Sequence, residues 1–217
     1  DIMLCMDTST SMMAEDFKPQ NRLGAAKEVV EKFVKGRKND RIGVVVFSAV
    51  AFTQCPLTTD YGSLLEFLDK VKIGMTQTDG TAIGTAIVTS VNRLKDSPSR
   101  SKIIILLTDG RNNMGEVDPI TAAKAAAAFG VKIYAIGAAG IGAAPYPVDD
   151  PVFGKRYVLM KEDLDEPTLL QISNETGGQY YRAKDKSSLE GIYKKIDAME
   201  KTPFNIKEYV SFKELYR

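Results

Sequence analysis

Five bulky apolar residues, Ile2-Met3-Leu4-Cys5-Met6, run unbroken into the polar cluster Asp7-Thr8-Ser9-Thr10-Ser11. A short apolar run ended by turn-forming residues predicts a strand buried on both faces, opening at its C-terminal end into a loop. Similar runs at 42–47, 102–107 and 131–136 predict three more strands, with Lys132 and Tyr134 of the last alternating outward. Residues 51–54, after the break at Ser48-Ala49, predict an antiparallel strand at the sheet edge, and 178–182 a short final strand. Between these runs the apolar spacing changes to three and four. Leu23, Ala26, Val30 and Phe33 mark a helix over about 22–35, and Leu64, Leu65, Leu68 and Val71 mark a second. Ile83, Ile87, Val91 and Leu94 mark a third, and an Ala-rich fourth begins at Pro119, where the missing N–H costs least. Helices over about 166–176 and 186–200 complete the set, the last with Leu189, Ile192, Ile196 and Met199 on one face.

Alternation of strands and helices predicts an α/β fold: a doubly wound, mostly parallel sheet with one antiparallel edge strand and helices on both faces. Residues 1–202 read as one domain and 203–217 as a tail, whose Phe204, Tyr209, Phe212 and Tyr216 form either a strap or the approach to a membrane anchor. The rhythm breaks at about 137–163, which holds Gly140, Gly142, Pro145, Pro147, Pro151 and Gly154 and reads as a structureless loop insertion. It leaves the strand next to the one ending at Asp109, so it is expected to rim the same face and to shape partner choice.

Composition narrows the chemistry. A chain of 217 residues with 44% hydrophobic content can bury a full core. Lys+Arg 29 against Asp+Glu 28 leaves no basic stripe, so nucleic acid is not an expected partner. The absence of histidine excludes Ser-His-Asp and Cys-His catalysis and imidazole zinc sites. Of the two cysteines, Cys5 lies in the first strand and Cys55 is expected to follow the edge strand, ahead of Pro56. No apolar run approaches the roughly 18 residues that span a bilayer. A chain beginning at Asp1 directly in a core strand reads as a domain excised from a longer protein, whose anchoring segments lie outside it.

The candidate chemistry sits at the strand ends. In doubly wound sheets the ligand crevice lies beyond the carboxyl ends of the strands, where strand order reverses. Asp7 ends one central strand and Asp109, in Thr108-Asp109-Gly110, ends another; the turn carrying Asp79-Gly80-Thr81 can reach the same crevice. Asp7, Ser9, Ser11, Thr81 and Asp109 thus form a set of hard oxygen donors suited to Mg²⁺ first, with Mn²⁺ or Ca²⁺ as alternatives. Two aspartates offset the ion's charge and three hydroxyls add ligands without repulsion. No general base belongs to the set, which suits capture of an acidic group from a partner rather than activation of a nucleophile.

The motif Asp-x-Ser-x-Ser after a first strand, with an Asp-Gly-Thr turn and Thr-Asp-Gly after a fourth strand, resembles the metal-ion-dependent adhesion site (MIDAS) of von Willebrand factor A (VWA) domains. More narrowly, the chain resembles the Bacteroides aerotolerance (Bat) proteins, most nearly the BatA members. Residues 14–26 (AEDFKPQNRLGAA), 52–60 (FTQCPLTTD), 79–84 (DGTAIG), 103–113 (IIILLTDGRNN), 177–183 and 192–201 carry this likeness. The resemblance implies Ser9, Ser11 and Thr81 as direct metal ligands, and Asp7 and Asp109 as direct or water-mediated ones. It also implies a protein anchored in the inner membrane with its domain facing the periplasm, partnered by other Bat proteins and a MoxR-type AAA+ ATPase. One departure is present: Thr10 stands where many A domains have Gly.

Ordinary structural roles compete for the same residues. Ser, Thr and Asp favour caps and turns at βα junctions, so Asp7, Ser9, Ser11, Thr81 and Asp109 also fit plain turn chemistry, and Asp79 reads as a turn residue or a support to the site. Residues 137–142 resemble a dinucleotide fingerprint, but Pro145 and Pro147 stand where its helix would start. The leading reading is a non-enzymatic, metal-dependent protein-interaction module. The alternatives are a metal-free A domain and a haloacid-dehalogenase-type phosphotransferase. The latter needs a second Asp two positions after its nucleophile, where this chain has Ser9.

Overall fold

A computed structural model describes residues 1–151 and 153–200. Six strands form one sheet: β1 (Ile2–Asp7), β2 (Ile42–Phe47), β3 (Ala51–Thr58), β4 (Lys102–Thr108), β5 (Val131–Ala138) and β8 (Tyr180–Ala183). Their order is β3-β2-β1-β4-β5-β8, all neighbours parallel except β2–β3. The remaining strands, β6 (Ala144–Asp150) and β7 (Gly154–Met160), make a separate antiparallel hairpin. The helices are α1 (Arg22–Lys35), α2 (Tyr61–Asp69), α3 (Ile83–Leu94), α4 (Pro119–Ala128), α5 (Glu166–Glu175) and α6 (Lys186–Glu200). A single 3₁₀ turn spans Thr10–Met13.

Strand periodicity divides the core. Ile2, Leu4 and Met6 of β1 and Ile103, Ile105 and Leu107 of β4 pack on one face with α1, α2 and α6. Met3, Cys5, Ile104 and Leu106 pack on the other with α3, α4 and α5. Because both faces are covered, β1 and β2 are buried along their whole length, which is why they read as unbroken apolar runs. The chain leaves β1 through α1 on one face and reaches β4 through α3 on the other. The β1–β4 junction is therefore the switch point, and Asp7 and Asp109 flank it.

Four local expectations are corrected. Tyr134 does not face outward: it is 3% exposed beneath α6, and its hydroxyl donates to Glu200 at that helix's last turn. β3 does not stop at residue 54 but runs through Cys55 and Pro56. A proline survives there because β3 is an edge strand, and the register shifts along β2–β3 absorb it. The final strand begins at Tyr180, where pairing with Ala135 of β5 starts; the Gly178 N–H is spent on the Ser173 carbonyl at the end of α5, at 2.9 Å. Residues 137–163 are not structureless: they contain β6 and β7. The tail 203–217 and its aromatic residues lie outside the described residues. Among the described residues, no helix is long and apolar enough to cross a membrane.

Candidate metal site at the strand ends

Asp7 closes β1 with no solvent exposure. Its Oδ1 accepts the Ser9 N–H at 2.8 Å and its Oδ2 accepts the Thr108 hydroxyl of β4 at 2.6 Å. The carboxylate therefore spans two neighbouring strand ends. The loop that follows is tied down residue by residue. The Thr8 amide and hydroxyl both donate to the Phe47 carbonyl of β2, at 2.7 and 3.0 Å. Ser9 occupies the N-cap position of the 3₁₀ turn, yet its side chain makes no capping bond. Its Oγ lies instead 2.9 Å from Ser11 Oγ, which donates to Asp109 Oδ1 at 2.6 Å. The capping role that competes for Ser9 in the sequence is thus not the one its hydroxyl performs.

Asp79 has a structural role. It accepts the Thr10 N–H at 3.0 Å and the Thr10 hydroxyl at 2.6 Å. Thr10, the departure from Gly, thereby pins the 7–11 loop to the 79–81 turn. Burial works against the Asp79 charge, but these two bonds outweigh it and hold the carboxyl below its ordinary value.

Thr81 is buried, and its N–H donates to Asn113 Oδ1 at 2.8 Å while its carbonyl accepts the Asn113 N–H at 3.0 Å. Its Oγ1 lies 3.4 Å from where a Cβ on Gly110 would stand, beside the residue that follows Asp109. Neighbouring Asn112 caps α3, its Oδ1 accepting the Ile83 N–H at 2.8 Å. Asp7, Ser9, Ser11 and Asp109 are therefore joined by hydrogen bonds across β1 and β4, while Thr81 stands beside Gly110 on the α3 side without a hydrogen bond to the other four.

Two further residues belong to the site and were missed in the sequence. Arg22, the first residue of α1, is buried and sends Nη1 to Asp109 Oδ2 at 2.7 Å. The same guanidinium forks onto Asp16, with Nε to Oδ1 at 2.8 Å and Nη2 to Oδ2 at 2.6 Å. Asp16 Oδ2 also accepts the Gly140 N–H at 2.9 Å, at the foot of the β6–β7 hairpin. A signal for Arg22 existed. It precedes Ala25, Ala26 and Val29 at helical spacing, so the helix carries a charge on its buried face.

The electrostatics are uneven. Burial, reinforced by the nearby Asp109 charge, pushes Asp7 up to about 7, because neither of its oxygens meets a cation. Burial also raises Asp109, although Arg22 works against the shift. Asp16 behaves oppositely: burial is outweighed by the Arg22 fork, which holds it below the usual carboxylate range. Asp16 and Asp109 thus share one guanidinium, and Asp7 has none. Among the described residues no group of three or more carboxylates or thiols gathers that could hold a metal ion, at this site or elsewhere, so the candidate rests on two aspartates supplemented by hydroxyls. The donor set fits a hard divalent cation.

Known proteins share this arrangement of elements. The model of the von Willebrand factor type A domain matches residues 1–195. An uncharacterized protein of Borreliella burgdorferi is 34% identical over the whole of this chain, which spans 63% of that protein's length. The solved structure of BatB, a conserved hypothetical protein from Bacteroides thetaiotaomicron, superposes with a TM-score of 0.79 at 32% identity, covering 93% of this chain and 98% of that one. An aerotolerance-related membrane protein from Bacteroides fragilis gives a TM-score of 0.76 at 31% identity, covering 89% of this chain and 96% of that one. The likeness to Bat proteins holds at the level of the group, and the solved relative with a specific name is a BatB where the motifs pointed to BatA. Nearly the full length of the described fold, with its reversal point between β1 and β4, matches a single family model: the chain belongs to the von Willebrand factor type A domain family.

Proposed function

We propose that the chain is a non-enzymatic interaction module that holds a divalent cation on Asp7, Ser9, Ser11, Thr81 and Asp109 and uses it to capture an acidic group of a protein partner. The observation that carries this reading is Asp7 itself: a wholly buried carboxylate held by the Ser9 N–H and by hydroxyls of Thr108 and Ser9, with no cation among its partners. An uncompensated buried charge is costly, and a cation beside it removes the cost. When bound, the ion would supply a Lewis-acid site for an incoming carboxylate. The protein's share is to hold the hydroxyls and carboxylates in place before the partner arrives. Mg²⁺ is the first choice for this donor set, with Mn²⁺ or Ca²⁺ next.

The likeness to a BatB and to an aerotolerance-related membrane protein supports a membrane-associated aerotolerance setting, and we put the domain on the periplasmic side of the inner membrane. In that setting other Bat proteins and a MoxR-type AAA+ ATPase are the partners, and the anchor belongs to the longer protein. Residues 1–202 serve as the interaction domain.

A second reading has its own observation. Arg22 already places positive charge on Asp109, which favours an A domain that binds its partner without metal. A thermal melt separates the two. A cation that binds only the folded state raises stability by about 2.7 kcal/mol at a hundredfold excess over Kd. Millimolar Mg²⁺ or Mn²⁺ is expected to raise the melting temperature of the wild type and not of Asp7→Ala. No rise in either protein at any concentration up to the solubility limit selects the metal-free reading.

A further inference from the structure

The β6–β7 hairpin has two edges, and its prolines decide which one is open. Pro145 and Pro147 pair with Leu159 and Tyr157 and have no N–H to give. The Pro145 carbonyl accepts the Glu15 N–H at 2.8 Å, so it points away from β7. In an antiparallel ladder a residue aims both its backbone polar groups at the partner strand or both away from it. Pro145–Leu159 and Pro147–Tyr157 are therefore non-hydrogen-bonded pairs, and so by alternation is Asp149–Lys155. The N–H and C=O groups of Lys155, Tyr157 and Leu159 all point out along the free side of β7. Among the described residues no backbone bond from outside the hairpin reaches them.

The two edges are managed differently. The β6 edge is closed by its prolines and by the Glu15 segment, as exposed edges usually are. The β7 edge stays open, with Leu159 74% exposed and Tyr157 53% exposed. Gly154, at φ +71°, lets the chain turn into a strand whose first six residues are all exposed. Along the strand the charge is one-sided, Lys155 and Arg156 preceding the apolar centre and Lys161 following it. Lys155 and Arg156 are more than half exposed and meet Glu15 at 3.2 Å and Asp150 at 3.4 Å, contacts that acidic residues of an added strand would have to share or replace.

We propose that the open edge of β7 is a docking site for an extended segment of a protein partner, added as a third strand, with an apolar centre flanked by acidic residues. Backbone hydrogen bonds to residues 155, 157 and 159 would hold the added strand, and its end charges would select it. The charges argue against a second copy of this chain as the occupant, because β7 beside β7 brings together two strands carrying basic residues alone. This inference goes beyond the metal site and is independent of it.

The test uses a fluorescent eight-residue peptide, acetylated and amidated, with two glutamates at each end and a Val-Thr-Val-Val centre. It is titrated into the 217-residue chain in excess chelator, followed by anisotropy. Saturable binding is expected, weakened about tenfold or more when the edge-facing amides of the peptide are N-methylated, the loss equivalent to one net hydrogen bond or more. Leu159→Pro removes an outward donor while sparing the β6 pairing, so it should weaken binding similarly with the melting temperature unchanged. Three results would overturn the proposal: equal binding of a lysine-ended peptide, equal binding to Leu159→Pro, or a peptide-free dimer in sedimentation that Leu159→Pro dissolves. Loss of peptide binding in chelator would overturn it as well, without touching the metal reading, which the melt tests separately.

Discussion

The Arg22 guanidinium stands 2.7 Å from Asp109 Oδ2, while the opposite oxygen of the same carboxylate takes the Ser11 hydroxyl at 2.6 Å. One buried side chain of α1 thus opposes the burial that raises the Asp109 carboxyl at the end of β4. The pair divides the site in two: Asp109 faces a guanidinium, and Asp7 faces no positive charge.

Removing that guanidinium should be expensive. Arg22→Met leaves buried Asp109 and half-buried Asp16 without their shared partner, a class of change that costs about 3–5 kcal/mol. Urea denaturation should show that loss, and millimolar Mg²⁺ should recover part of it by supplying positive charge at Asp109. An unchanged urea midpoint would mean that the ion pair does not compensate the site.

Asp79 acts by holding Thr10 rather than by contributing to the core. Asp79→Ala should weaken Mg²⁺ binding about fivefold, near the value of one hydrogen bond. Isothermal titration calorimetry reads this directly. A larger loss with heat signatures of a missing ligand would place Asp79 in the coordination sphere instead.

Gly84 opens the second turn-side support. A Cβ there would stand 1.9 Å from the Val117 carbonyl oxygen, so α3 and the 112–118 segment cannot both keep their positions. Gly84→Ala is expected to cost about 1–3 kcal/mol by overpacking. It should also weaken cation binding, because Asn112 and Asn113 of that segment hold the start of α3 and Thr81. Retained cation affinity in a destabilised protein would separate the packing from the site.

At the opposite end of the sheet, Glu200 accepts Lys132 Nζ at 2.6 Å, Ser101 Oγ at 2.8 Å and the Tyr134 hydroxyl. Burial opposes its charge, but these partners outweigh burial and keep its carboxyl below the ordinary 4.5. A carboxyl held lower in the folded than in the unfolded chain stabilises above the unfolded value and loses that contribution as pH falls. Stability should therefore decline below about pH 4.5, and Glu200→Gln should flatten that part of the curve. Parallel curves for the two proteins would show that Glu200 carries no linkage.

The sheet and the candidate ligands were legible because buried parallel strands announce themselves by length and apolarity, and Asp7 and Asp109 follow such runs immediately. Tyr134 was misplaced because a tyrosine is equally suited to both faces of a strand; only the arrival of Glu200 from α6 gave its hydroxyl a buried partner. Cys55 and Pro56 were cut from β3 by a proline rule that edge strands escape. The hairpin was hidden for the same reason: Pro145 and Pro147 sit at positions whose missing N–H the ladder never needed. Arg22 escaped because its two carboxylate partners lie 6 and 87 positions away, and no local spacing connects them.

Asp16 takes the Arg22 fork on one side and the Gly140 N–H on the other. A displacement at the hairpin's foot thus reaches Asp109 through three short, charge-assisted links: Gly140 to Asp16, Asp16 to Arg22, and Arg22 to Asp109. Linkage then imposes symmetry: whatever factor a strand docked on the hairpin applies to cation affinity, the cation must apply to the strand. Two affinities measured with and without the other ligand close a thermodynamic square, and one coupling constant, which equals unity when the sites ignore each other, describes both.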